Sequence, residues 1–219
     1  QVADMVLLDS NLGTIVSAIE EGRVIFDNIR KTTMYLLLTG FSEMSLILLG
    51  LLFGLPLPLL TAQILFINFV TDGLPAVALT MDPGEAGVMR EPPRARGVPV
   101  LTGRIKGLVF GLGTLLSLLP FGLYALLMAG GADENYGRTM VFAALSLQTI
   151  VMVFSVRSMR HPLWLTPALN NRFLLWAVVG GVLITLAAVY WTPLQSLLSL
   201  SSLHLSDWVV LSIMILMEL

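Results

Sequence analysis

The stretch Asn68-Phe69-Val70-Thr71-Asp72-Gly73-Leu74-Pro75 interrupts a strongly apolar run with an amide, a hydroxyl and a carboxylate. Glycine and proline, which both weaken a helix, follow at once. What surrounds this stretch decides the fold. The 219 residues are 56% hydrophobic and only 12% charged, with a mean hydropathy of +0.88. That is more apolar surface than a soluble domain can bury, so the chain reads as an all-α, polytopic transmembrane helical bundle. In a lipid-spanning helix, polar residues beside helix breakers mark the path of an ion or substrate.

Working outward, six apolar runs lie near residues 33–54, 59–79, 108–129, 139–156, 173–191 and 205–219. The first five approach the roughly 20 residues needed to cross a hydrocarbon core; the fourth is slightly short, and the last stops after about four turns. Residues 1–32 are polar-containing and precede the spans. Asp9-Ser10-Asn11 offers N-cap chemistry, which predicts a helix starting near Leu12 and feeding directly into the first span. Gly22 weakens the case for its continuity. The expected organisation is a short cytoplasmic N-terminal segment (1–32) and a transmembrane domain (33–219), the whole cut from a longer chain. Arg138 is the one basic residue of twelve that lies outside the N-terminal segment and the loops after the second and fourth runs. By the positive-inside rule those loops, and the N-terminal segment, are cytoplasmic.

Several chemistries are excluded. The chain has no cysteine, which removes disulfides, thiolate metal sites and thiol catalysis. His161 and His204 are far apart and fit no zinc spacing. Phosphate-cradling glycine loops, Ser/His/Asp sets and nucleic-acid-binding patches are absent, so no nucleic-acid partner is expected. The loop from Asp82 to Thr102, rich in Pro, Gly and Arg, should be extended and ordered by its contacts. Trp164, Trp176, Trp191 and Trp208 lie at or near span ends as ordinary interfacial anchors. Gly111, Gly113, Gly180 and Gly181 read as points of close helix contact.

Two carboxylates lie well inside the runs. Glu43 is about ten residues beyond Thr33, or roughly 15 Å deep; Asp72 is about seven residues before the end of its run, or roughly 11 Å deep. The short turn Leu55-Pro56-Leu57-Pro58 makes these two runs antiparallel neighbours, so the carboxylates can meet near the midplane. An acid at that depth costs about 2.5 kcal/mol or more on insertion scales, and two without a basic partner make poor glue. Asn68, Thr71 and Asp72, at i, i+3 and i+4, share one face of a helix. With Glu43 they offer two charges and several neutral oxygens to one cation. A hard cation such as Ca²⁺ needs six to eight oxygens, which backbone carbonyls freed near Gly73 and Pro75 could complete. Gln148 and Thr149 in the fourth run are further candidates, with helix–helix hydrogen bonding as the alternative; Ser42 and Ser45 read as packing residues.

These residues also carry a family resemblance. Ala3-Asp4-Met5-Val6-Leu7-Leu8-Asp9, followed by Thr14-Ile15-Val16 and Ile19-Glu20-Glu21-Gly22-Arg23, resembles the end of the phosphorylation domain of P-type ATPases. Asn68 to Ala76 resembles the sixth transmembrane helix of the P2 subgroup, particularly calcium pumps of the sarco/endoplasmic reticulum type and their bacterial relatives. Arg90-Glu91-Pro92-Pro93-Arg94 resembles the loop that follows it. The resemblance covers essentially the whole chain, as helices five to ten. It implies a pump driven by ATP through a phospho-aspartate, with Ca²⁺ as the transported ion. Glu43 would be the helix-five ligand, and Asn68, Thr71 and Asp72 the helix-six ligands.

Gly40 stands where two-site calcium pumps have an asparagine ligand. Thr149, or Gln148 with a one-residue shift, stands where they have a glutamate. One ion site is therefore expected. ATP and Mg²⁺ would act only through cytoplasmic domains outside this sequence, which with four further helices and the lipid bilayer are the implied partners. Alone, the chain is expected to be inactive as an ATPase. A bacterial plasma membrane is the expected location. The alternatives are an Mn²⁺, Na⁺/K⁺ or H⁺ pump of the same family, or a non-enzymatic carrier, channel or regulatory subunit.

Overall fold

A computed structural model describes residues 11–85, 87–90, 92–93, 99–157 and 170–218, apart from the side chain of Arg104. The features noted at residues 1–10, Glu91, Arg94, Arg96, Arg160, His161 and Trp164 lie outside them. Among the described residues all regular structure is helical.

Helix α1 (Leu12–Leu52) begins where the Asn11 side chain accepts a hydrogen bond from the Gly13 amide at 2.9 Å. It runs unbroken through Gly22 and Gly40 for 41 residues, or roughly 60 Å, about twice a hydrocarbon core. Gly54, at φ +67°, ends it in a left-handed turn in which the Leu55 amide reaches back to the Gly50 carbonyl. The return helix, Thr61–Thr80, is three pieces in one rod: α2 (Thr61–Phe66), a π-helical segment (Ile67–Asp72) and α3 (Gly73–Thr80). The sequence predicts a break at Gly73 and Pro75. Instead the helix widens just before them and then continues, so the irregularity lies on the ligand-type residues themselves.

The remaining helices are α4 (Gly103–Ala129), α5 (Glu134–Val156), α6 (Arg172–Tyr190), α7 (Thr192–Leu197) and α8 (Leu205–Glu218). Five helices are long and apolar enough to cross a membrane: α1, the Thr61–Thr80 rod, α4, α5 and α6. The sixth run is α8, with 14 described residues. The fourth run is not short, because α5 starts five residues before residue 139. Asp133 caps it, accepting from the Asn135 and Tyr136 amides at 3.0 and 3.2 Å, which moves Arg138 from the loop into the helix. Helix α7, between the fifth and sixth runs, starts with Pro193 in its first turn. The loop after α3 also holds a 3₁₀ turn, Val88–Arg90, anchored by the Arg23 guanidinium on the Val88 carbonyl at 2.8 Å.

Helix α5 is the centre of the bundle: 72% of its apolar window is buried, against 22% for α4. Its Val141–Leu145 turn, buried all round, meets Leu46, Ile67 and Leu211 in one apolar cluster, and Val153 and Val156 meet Tyr35, Leu38 and Leu79 in a second. Of the four glycines read as contact points, two act so. A Cβ on Gly113 would lie 2.9 Å from the Phe41 ring, and one on Gly181 3.0 Å from Ile150. Gly111 and Gly180 instead face open space, because each neighbours a contact glycine on the helix and points about 100° or more away from it.

Candidate functional site

The π-helical segment sets the geometry of the site. A π turn holds more residues than an α turn, so positions four apart come nearer to the same side. Asn68 and Asp72 accordingly both face α1. The Asn68 amide nitrogen donates to Glu43 Oε2 at 2.9 Å and to its own Ile64 carbonyl at 2.9 Å, leaving Oδ1 as the amide atom for a ligand. Thr39 Oγ1 donates to Asp72 Oδ2 at 2.8 Å. Thr71 does not share that direction. Its hydroxyl donates back onto the Ile67 carbonyl at 2.9 Å and is fully buried, which fixes the direction of the lone pairs it can offer a cation.

Glu43 and Asp72 are 4% and 1% exposed and close enough to interact electrostatically. Each has one carboxylate oxygen tied to a neighbour and one, Glu43 Oε1 and Asp72 Oδ1, without a hydrogen-bond partner among the described residues. Neither takes part in an ion pair there. An open cavity of about 420 Å³, lined by Gly40, Glu43, Met44 and Ile64 among others, lies over Glu43. No cluster of three acids or histidines forms among the described residues; a cation held here would have two charged ligands and would need neutral oxygens to complete its shell.

Proline chemistry explains where those oxygens are. Pro75 has no N–H, so the carbonyl four residues earlier, Thr71, loses its helical donor. Tyr35 covers it: the phenol lies 3.4 Å from the Thr71 carbonyl and 3.1 Å from that of Thr149. One hydroxyl proton serves two acceptors, and the more distant Thr71 carbonyl is the less satisfied. Tyr35 and the Thr149 side chain also lie beside Asp72. The same logic separates the two α5 candidates. Pro120 inside α4 frees the Leu116 carbonyl, and Gln148 donates to it at 2.9 Å. Gln148 therefore repairs a helix, while its neighbour Thr149, about 100° further round, faces Asp72. Ser42 and Ser146 each bury a hydroxyl that lacks a partner among the described residues.

Sequence reasoning missed Thr39 and Tyr35. Hydroxyls are common in spans, and nothing local distinguishes these two; only the i−4 spacing of Thr71 before Pro75 signalled that some donor was needed. It also missed Glu218, a carboxyl on α8 beside Gln148.

With this geometry in view, comparison with known proteins is direct. The family model described as cation transporting ATPase, C-terminus, matches residues 56–219. The chain belongs to that family. It is also 36% identical over 218 residues to a calcium-transporting ATPase of Bacillus subtilis (strain 168), covering 96% of this chain and 24% of that protein. It is 34% identical to a probable cation-transporting ATPase F of Mycobacterium tuberculosis (H37Rv), covering 94% of this chain and 23% of that protein. It is 31% identical to the calcium-transporting ATPase type 2C member 2 of Mus musculus, covering 97% and 23%. The chain thus spans about a quarter of the length of the curated relatives it matches, and corresponds to a C-terminal membrane portion. It is an integral, multi-pass membrane protein of the P-type cation ATPase family.

Proposed function

We propose that this chain is the ion-carrying membrane part of an ATP-driven pump that exports Ca²⁺ from the cytoplasm, with one ion site. The observation that carries the reading is the pair of buried carboxylate oxygens, Glu43 Oε1 and Asp72 Oδ1, left without a proton donor or basic partner among the described residues. Two such groups inside an apolar bundle stay ionised only when a cation compensates them, and take up protons when it leaves. The ligand set is Glu43, Asp72, Asn68 Oδ1 and Thr149, with the Thr71 carbonyl freed by Pro75 and the Thr71 hydroxyl as neutral oxygens. Thr39 and Tyr35 orient Asp72 and that carbonyl. Hard oxygen ligands of this kind suit Ca²⁺, which the names of the Bacillus and mouse relatives also carry.

One site rather than two follows from Gly40 and Thr149. Gly40 brings no side-chain oxygen to the space beside Glu43, and Thr149 brings a neutral one to Asp72. Energy would arrive through α1, which carries Thr39 and Glu43 and extends as one rod to Leu12. The basic ends of the helices then face the cytoplasm, and residues 1–32 link to the domains that bind ATP and Mg²⁺. In a full-length pump bearing this sequence, Ca²⁺ should stimulate phosphorylation more strongly than Mn²⁺, Na⁺, K⁺ or a pH step. Equal response to every cation would overturn the ion assignment, and two Ca²⁺ bound per pump would overturn the single site.

A further inference from the structure

The helix that carries Asn68 and Asp72 is gripped near its start by a residue that the transport reading does not use. Gln63, in α2 and five residues before Asn68, is fully buried. Its side-chain oxygen accepts from the Leu60 amide at 3.0 Å, and its side-chain nitrogen donates to the Leu198 carbonyl at 2.9 Å. Leu198 follows α7 and begins a strap, residues 198–203, laid against the bundle. Leu198, Leu200 and Leu203 are buried in the same apolar cluster as Ile67. The Ser201 amide donates to Thr139 Oγ1 on α5 at 2.8 Å, and the Tyr190 hydroxyl to the Leu203 carbonyl at 2.9 Å. At the end of α7 the carbonyls of Leu194, Gln195 and Ser196 accept from the Leu198, Leu200 and Ser199 amides, with Ser199 at φ +51°. That left-handed residue turns the chain out of the helix, and the Leu198 carbonyl takes its donor from Gln63.

We infer that Gln63 is a positioning residue of the ion site: by locking α2 to this strap it fixes the direction in which Asn68 presents Oδ1. The inference rests on Asn68 being an ion ligand. Helix α2 has six residues, too few to be held by its own hydrogen bonds, so its rotation is set by what grips it. Inward contact there comes from Gln63 and, one turn on, from Ile67. The apolar contacts of Ile67 are non-directional and tolerate slip; the two hydrogen bonds of Gln63 are directional and do not. The π-helical segment is built directly on this turn: the Ile67 amide bonds back to the Gln63 carbonyl, and the Asn68 side chain to that of Ile64. Rotation of α2 would therefore carry Asn68 off Glu43. The preceding turn has its own anchors, Tyr124 on the Pro56 carbonyl and Arg138 on that of Leu57, so loss of Gln63 frees the rotation without detaching the turn.

The test is a double-mutant cycle in the detergent-solubilised full-length pump, with Gln63→Met, Asn68→Ala and both together. Met keeps the length of the side chain and removes both hydrogen bonds. Gln63→Met should lower the Ca²⁺ affinity of phosphorylation about tenfold. In the Asn68→Ala background it should cost less than about twofold, because no ligand is left to misplace. A residue that merely stabilised the fold would lower the thermal midpoint and leave the affinity of the folded pump unchanged. The same cycle is read in the midpoint without cation, where Gln63→Met should cost less once the Asn68–Glu43 hydrogen bond is gone. A pump that ignores Ca²⁺ but keeps this coupling would sink the ion assignment and uphold the placement of Asn68. Thr139→Val, which frees the strap from α5 without touching α2, covers the case in which Gln63→Met does not fold. It should weaken Ca²⁺ affinity about two- to threefold, and not in Asn68→Ala. Losses that add in either measurement overturn the inference, as does wild-type Ca²⁺ affinity of either variant in a pump that responds to Ca²⁺.

Discussion

Asp72 and Asp82 sit at opposite ends of the same short helix and are 1% and 5% exposed, yet their surroundings are opposite in kind. Asp82 is saturated. The Arg157 guanidinium donates to Oδ1 at 2.8 Å, Asn171 to the same oxygen at 3.1 Å, and Lys31 lies 3.7 Å from Oδ2. Lys31 also pairs with Glu85 at 2.8 Å, and Asn28 donates to the Asp82 carbonyl at 2.7 Å. One carboxylate thus ties α1, the loop after α3, the end of α5 and the N-cap of α6. Asp72 has hydroxyl neighbours, Thr39, Thr149 and Tyr35, but no cation among the described residues. A buried acid with its counter-charges built in holds helices together; a buried acid without them waits for a charge from outside.

Experiments that break this contrast should do so unequally. The largest effect is expected on stability from Asp82→Ala, which removes the 2.8 Å carboxylate partner of the buried Arg157 and one of the two carboxylates beside Lys31; breaking such a buried pair costs about 3–5 kcal/mol. It should lower the thermal midpoint of the detergent-solubilised pump while the surviving folded fraction keeps its Ca²⁺ affinity. Asp72→Asn should do the reverse. Loss of one buried charge partner, about 2–5 kcal/mol, should weaken Ca²⁺ binding roughly a hundredfold and abolish ion-stimulated phosphorylation, with folding preserved. The ligand-induced rise in midpoint should vanish in Asp72→Asn and persist in Asp82→Ala. Identical behaviour of the two variants would sink the distinction.

Smaller effects sharpen it. Tyr35→Phe leaves the Thr71 carbonyl without its donor, at about 1–3 kcal/mol, and should affect stability and Ca²⁺ affinity together. Gln148→Leu strands the Leu116 carbonyl at a cost in the same range but should leave Ca²⁺ affinity untouched. Thr149→Val, one residue along, should weaken Ca²⁺ binding with little loss of stability, because its hydroxyl faces Asp72. Thermal melts with and without Ca²⁺ separate these cases; a Gln148→Leu variant with altered affinity would return Gln148 to the site.

Much of the candidate site is legible in the order of residues. Glu43 and Asp72 stand out because insertion energetics makes an acid conspicuous in an apolar run, and Asn68 because it lies on Asp72's helix at the right spacing. The Asp82 cluster is not legible there. Lys31 and Arg157 read as ordinary loop-side charges, and nothing local says that positions 31, 82, 157 and 171 converge. The α5 candidates are ambiguous for a related reason: a one-residue step turns a helix by about 100°, and sequence spacing within α5 does not say which direction faces α3. Thr71 lies off the expected face because the backbone is π-helical there, a feature that depends on how Ile67 and Asp72 pack against α1 and α5.

The amino-acid order by itself determined that this chain is a helical membrane bundle, where the runs lie, and which two carboxylates carry the question of function. Those conclusions rest on transfer energies, which are properties of residues and do not require knowing their neighbours. Tertiary structure alone decided that Asn68-Phe69-Val70-Thr71-Asp72 widens rather than breaks, that Tyr35 and Gln148 cover the carbonyls freed by Pro75 and Pro120, and that Asp82 is paired while Asp72 is not. Satisfaction of a buried polar group depends on what another helix brings within hydrogen-bonding distance, and that is fixed by packing.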